Sequence, residues 1–195
     1  PEEFVEREPG STPGNLVINQ GLLGFQNAVL VPASAGHTVS IASGANLRFW
    51  RSASGTAPCV FAREIAAADG AIVSWNGSDT TDGIDQSVAS PISAAGLLTL
   101  DQSSANNSVF ELAGAISGAS ASLLKTGVGI ARLAGDNIFP GATTVQGGSL
   151  ELTGSLAGAA TVEAGATLAG TGTVAGAVAV TGTLHLNGSA GSTGG

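Results

Sequence analysis

The segment Thr144-Val145-Gln146-Gly147-Gly148-Ser149-Leu150-Glu151-Leu152 is echoed at Thr161-Val162-Glu163-Ala164-Gly165-Ala166-Thr167-Leu168. A third copy follows at Ala179-Val180-Thr181-Gly182-Thr183-Leu184-His185-Leu186. Val145, Val162 and Val180 recur at nearly equal intervals, a spacing that suits one circuit of a solenoid. A fixed period of this kind points to stacked repeats before any other architecture. Within each copy apolar residues alternate with Ser, Thr, Glu or Gln, so one side of the run faces inward and the other outward. One circuit cannot bury its inner side alone, whereas a stack can, each strand pairing with the one above. Glycines punctuate the corners because tight turns need backbone angles that a Cβ disfavours. Upstream, His37-Thr38-Val39-Ser40-Ile41 through Leu47 keeps the same rhythm more loosely, and no segment holds a helical period; Ala62 to Ala68 comes nearest and is too short. The expected fold is all-β, a right-handed parallel β-helix over residues 14–188. At about 20 residues per coil and a rise of about 4.8 Å, that makes roughly nine coils and a rod on the order of 40 Å long.

The composition agrees with a thin, regular β-architecture. The 195 residues include 30 Gly, two Trp, no Met and no Tyr, and only 10% are charged, against roughly 25% in an average globular protein. Hydrophobic residues still make up 43%, which is not the composition of a disordered chain. The net charge of −8 gives no electrostatic footprint for nucleic acid. Apolar stretches are broken by Gly, Ser and Thr well short of the ~20 residues a membrane-spanning helix needs. No signal peptide is visible and the chain begins at Pro1, so a processed product or a piece of a longer chain is expected. Residues 1–13 are charged and Pro-rich, with Glu2, Glu3, Glu6 and Glu8 against Arg7, and read as an arm or linker. Residues 189–195 read as a Gly/Ser-rich tail. Cys59 stands alone, which excludes an internal disulfide and favours a buried free thiol over a crosslink between chains.

Residues 124–152 carry a more specific pattern: Leu124-Lys125-Thr126-Gly127-Val128-Gly129, then Leu133-Ala134-Gly135-Asp136-Asn137-Ile138-Phe139-Pro140-Gly141, then Ala142-Thr143-Thr144-Val145-Gln146-Gly147-Gly148-Ser149-Leu150. This resembles the autotransporter-associated β-strand repeat (the passenger-associated transport repeat) of bacterial autotransporter passenger regions. The glycines, the asparagine and the Thr-Thr-Val run keep that family's spacing; Phe139 stands where the family usually has tyrosine. Leu112-Ala113-Gly114-Ala115-Ile116-Ser117-Gly118 looks like the segment that leads into such a repeat, so the resemblance covers residues 109–188. It implies a parallel β-helix, export to the bacterial cell surface, and a repeat without enzymatic role. The family's C-terminal membrane barrel is not in this sequence, so outer-membrane anchoring is not implied.

Chemistry-bearing groups are sparse. Gly170-Thr171-Gly172-Thr173-Val174-Ala175 fits a loose dinucleotide pattern, but that pattern has meaning only between a strand and a helix, and here it falls between β-repeats. Asp79, Asp82 and Asp85 could offer oxygens to Ca²⁺, although their spacing is not that of an EF-hand and Asp is common in β-turns. The same loop is the place for polysaccharide-lyase chemistry, with Arg51 and Arg63 the nearby basic residues. There is no GxSxG elbow. His37 follows a turn and His185, between Leu184 and Leu186, faces outward. Trp50 and Trp75 with Phe49 and Phe61 suit a core better than a sugar platform. No cofactor is expected.

The two ends of a solenoid expose unpaired backbone groups that template further pairing unless capped or charged. The arm carries Phe4 and Val5, and docking of the arm or the first coil onto the last coil, with its Leu184 and Leu186, gives a head-to-tail contact that grows into a filament. Three roles follow: a subunit of an extracellular fibre or matrix, a stalk fragment of an autotransporter adhesin that holds a tip toward a glycan or host surface, and a β-helical enzyme acting on polysaccharide.

Overall fold

The computed structural model describes residues 3–4, 14–26, 37–50, 59–77, 83–105 and 107–190. All of these that lie in regular structure are β-strand, and every strand pairing is parallel. The chain visits three faces in a fixed order. Sheet A holds nine strands: Glu3–Phe4, Leu22–Gln26, Asn46–Trp50, Ala71–Trp75, Leu97–Gln102, Ser122–Thr126, Thr143–Val145, Ala160–Val162 and Val178–Val180. Sheet C holds seven: Cys59–Phe61, Gly83–Val88, Ser108–Leu112, Ile130–Leu133, Ser149–Leu152, Thr167–Gly170 and Thr183–Leu186. The third face is sheet B (Leu16–Ile18, Thr38–Ile41, Glu64–Ala67, Ile92–Ala94, Ile116–Ser117) and then sheet D (Asp136–Asn137, Ser155–Leu156, Thr173–Val174, Ser189–Ala190). The backbone N–H of Ile138 donates to the carbonyl of Ile116 at 3.1 Å, so the face runs on across the junction. This is the stacked, solenoid-like architecture that the valine spacing predicts, and Val145, Val162 and Val180 are in register with one another.

Alternation drives the packing. In Asn46–Trp50, Leu47 and Phe49 are buried while Arg48 is half-buried on the outer side; in Ser149–Leu152, Leu150 and Leu152 are buried and Glu151 points out. Such inward residues stack into columns along the rod. The longest runs Leu23, Leu47, Val73, Leu100, Lys125, Val145, Val162, Val180.

The circuit of chain between successive members of that column is not constant. It is longest from Leu47 to Val73 and from Val73 to Leu100, shortens from Lys125 to Val145, and is shortest from Val145 to Val162 and on to Val180. The longer turns therefore lie between Leu23 and Lys125 and the shortest between Val145 and Val180, around the figure of about 20 residues per coil used for the sequence-based count. The connection from sheet A to sheet C falls from residues 76–82 to 127–129 and 146–148, and the sheet A strands shorten from Leu97–Gln102 and Ser122–Thr126 to Thr143–Val145 and Ala160–Val162. The interior explains it. Phe25, Phe49, Phe61, Trp75 and Phe110 pack in the wide half with ring centroids 5.0–6.3 Å apart, and no aromatic residue other than histidine follows Phe139. The narrow half is filled by Val145, Leu150, Ala160, Val162, Leu168 and Val178, and smaller side chains close a smaller perimeter at the same packing density. At the first short corner Gly127 turns the chain with φ +74°, and a Cβ there would strike the carbonyl of Gln102.

Glu3–Phe4 pairs with Leu23–Gly24 as the first strand of sheet A, so part of the expected arm adds to the stack. Val5 lies outside the described residues.

Candidate functional site

Two polar side chains are built into the narrowing half of the core, and both tie one turn of the chain to another. Lys125 occupies the inward column between Leu100 and Val145 and is fully buried. Its parity with Leu123 along Ser122–Thr126 forces it inward. The Nζ donates to the carbonyls of Thr126 (2.6 Å) and Gly127 (3.0 Å) in its own turn and of Gly147 (3.1 Å) in the next. All three ammonium protons thus find acceptors, the condition on which a buried cation is tolerated. Burial pushes its pKa down from 10.5 to about 8, with the Asp101 carboxylate opposing that shift. Asp101 itself accepts from Thr126 Oγ1 at 2.8 Å.

Asn137 joins three turns. Its Oδ1 accepts from the backbone N–H of Ile116 below (3.0 Å), and its Nδ2 donates to the carbonyl of Gly135 in its own turn (2.8 Å) and of Ser155 above (2.9 Å). The residue is buried and stands where sheet B gives way to sheet D, supplying through its side chain a bond that a backbone carbonyl would otherwise make. Lys125 and Asn137 are both within the segment that resembles the autotransporter repeat; their chemistry here is cohesion between turns.

The outer face of sheet C carries an ionic column. Glu111, Arg132 and Glu151 are in register; Arg132 Nη2 and Nε lie 2.7 and 2.9 Å from the Glu151 carboxylate, and Nη1 lies 3.7 Å from that of Glu111. Ser87 Oγ donates to Glu111 at 3.0 Å, extending the column one turn further.

The residues singled out for catalysis or metal binding are not brought together by described structure. Asp79, Asp82 and Arg51 lie outside the described residues. Asp85 is buried in the strand Gly83–Val88, at the irregularity where Ile84 pairs with Val109 and Gln86 with Phe110; it is the extra residue of a bulge. Arg63 is buried, with its Nη1 donating to the carbonyl of Gly14 at 2.8 Å. Among the described residues no three His, Cys, Asp or Glu side chains are grouped so as to hold a metal ion, and no helix is long and apolar enough to cross a membrane. His185 is exposed on the outer side of its strand and Cys59 is buried, as the sequence reading has them; of the loose dinucleotide pattern, Gly170 ends the strand Thr167–Gly170, Thr171-Gly172 makes the turn, and Thr173–Val174 is the next strand. Phe49, Phe61 and Trp75 are core residues. Trp50 is half-buried on the outer side and leaves no room for a Cβ at Gly24.

The ends of the stack are the other notable surface. Among the described residues no strand pairs with the far side of Val178–Val180, Thr183–Leu186 or Ser189–Ala190. Leu184 and Leu186 lie above Leu168 and Gly170 in the inward columns but are only half-buried, and Val180 is 39% exposed. Comparison of the chain with protein-family models, curated proteins and solved structures gives no match.

Proposed function

We propose that the chain is a non-enzymatic structural rod exported to the bacterial cell surface or its matrix, a right-handed parallel β-helix of roughly nine coils that joins its copies end to end. The observation that carries this reading is the nine-stranded parallel sheet whose last strand, like its neighbours on the other two faces, has no outer partner among the described residues. Such edges bind further strands. The resemblance of residues 109–188 to autotransporter passenger repeats supports export, and the roles of Lys125 and Asn137 within that segment suit a repeat whose work is cohesion. Arg63, one of the two bases considered for lyase chemistry, serves the carbonyl of Gly14, which weighs against a polysaccharide-acting enzyme.

Negative-stain electron microscopy over a range of concentrations tests the reading. Assemblies one rod wide and longer than one chain are expected. Isolated short rods at every concentration would sink end-to-end joining. They would leave a second reading, a stalk segment that carries an adhesive tip toward a glycan or host surface.

A further inference from the structure

We propose that the outer face of sheet A around Trp50 binds an acidic polysaccharide, stacking a sugar ring on the indole and pairing a hexuronate carboxylate with Arg48. This goes beyond end-to-end joining, because a single rod and an assembly present the same face.

The sequence reading groups Trp50 with the core aromatics. Phe49, Phe61, Trp75, Phe110 and Phe139 are buried, but Trp50 alternates with Phe49 along Asn46–Trp50 and faces outward, half-buried. Its seat on the surface is built into the sheet. Gly24, one strand below, has no Cβ, and Cζ3 and Cη2 of the indole occupy the space that one would take. Gln26 stands beside Trp50 on the strand below and Asn76 on the strand above, and both are exposed. An indole bordered by two amides matches the two sides of a pyranose. The C–H groups of the sugar's apolar side carry partial positive charge and rest on the negative face of the ring. The amides donate to and accept from its hydroxyls.

Arg48 supplies the charge. It lies two residues before Trp50 on the same outer face. Its Nε donates to Ser74 Oγ at 3.4 Å, and Ser74 Oγ donates to Asn46 Oδ1 at 2.8 Å. This tether holds the stem of the guanidinium, while Nη1 and Nη2 have no partner among the described residues. Arg132, by contrast, spends its fork on Glu151 and Glu111. Asp101 follows Ser74 in the Arg48 column, and its carboxylate accepts from Thr126 Oγ1 at 2.8 Å. An open guanidinium fork is best matched by a carboxylate, two N–H groups to two oxygens. A hexuronate carries that group on the sugar ring itself, so stacking and pairing fall within reach of neighbouring units of one glycan. The net charge of −8 opposes a polyanion at long range; the attraction must therefore come from the Arg48 contact, which can be removed.

The test is titration of the full chain with short oligomers of galacturonate and of hyaluronan, read by calorimetry and tryptophan fluorescence. Methyl-esterified galacturonate serves as the neutral twin. Saturable binding of an acidic oligomer with a change in indole emission is expected, and binding of the methyl ester about tenfold weaker. Arg48→Gln is expected to lower affinity for the acid by about tenfold and to leave the methyl ester unchanged. Trp50→Ala is expected to weaken both ligands, and Trp50→Phe to regain part of the loss. Arg132→Gln, on sheet C, is expected to change neither. Circular dichroism melts establish that each variant is folded at the titration temperature; if Trp50→Ala is not, Arg48→Gln and Trp50→Phe decide. Absence of saturable binding by both acidic oligomers overturns the proposal. So does affinity for the acid that survives Arg48→Gln, or a preference for the methyl ester. None of these results touches end-to-end joining, which microscopy reads.

Discussion

The ammonium of Lys125 donates to the carbonyl of Gly147 across 3.1 Å, from one turn of the rod to the next. It does so from within a column whose other members are all aliphatic: Leu100 lies below it and Val145 above. The column bears a charge at the point where the turn shortens.

That lysine gives the rod a pH dependence with a definite sign. Its folded pKa of about 8 is below its ordinary 10.5, so between those values the unfolded chain binds a proton that the folded chain has released. Stability rises with pH across that window and is lost as pH falls through about 8. The gap corresponds to about 3 kcal/mol. Urea midpoints measured from pH 7.5 to 10.5 are expected to climb, and Lys125→Met is expected to flatten the climb. The chain has no Tyr and no second Lys, which leaves few other groups titrating in that range.

Asn137 ties three turns through one amide. Asn137→Ala is expected to cost about 2–4 kcal/mol, because it leaves one backbone donor and two carbonyls in need of partners. Asn137→Asp should not restore the loss, since a carboxylate cannot donate to the carbonyls of Gly135 and Ser155. Thermal unfolding of both variants, followed by circular dichroism, checks this; an Asp variant as stable as the parent would contradict the donor roles assigned to Nδ2.

The Glu111–Arg132–Glu151 column is partly exposed, so its worth is smaller. Arg132→Ala is expected to destabilise by about 1 kcal/mol. Arg132→Glu should cost more, because it lines three carboxylates along one column. Both effects should shrink in concentrated salt, where charges are screened, and a salt-independent loss would point to packing of the guanidinium stem instead.

Cys59 lies in the first strand of sheet C, 5% exposed. A thiol so covered is expected to react with an aromatic disulfide reagent at least a hundredfold more slowly in the native chain than in urea. Equal rates would show that the wide end of the rod opens readily.

Much of the narrow half was legible because its periodicity is short and its corners are glycine: Val145, Val162 and Val180 do pair as their spacing says. The wide half was less so. Its corner connections from sheet A to sheet C differ in length, so Leu47, Val73 and Leu100 pair across longer and unequal circuits and no single period runs through them. The resemblance marked Asn137 by its spacing, without saying what it does, and gave Lys125 no special place. Alternation with Leu123 carried the signal that Lys125 points inward. Asn137 had no such signal, because its partners at Ile116 and Ser155 are distant in the chain and become neighbours only once the register is known. Asp85, one of the three carboxylates considered for calcium, sits buried at a bulge, a placement that a count of acidic residues along the loop does not foretell.

The chain's single lysine is the one in the core. Residues 1–195 accordingly offer no exposed side-chain amine to their surroundings. Within this stretch, enzymes that weld proteins through lysine isopeptide bonds have nothing to take hold of, and acylation of surface lysines is not available as a means of regulation. What holds these turns to one another is backbone pairing, packing and the side-chain ties of Lys125 and Asn137, so whatever unzips a strand undoes them.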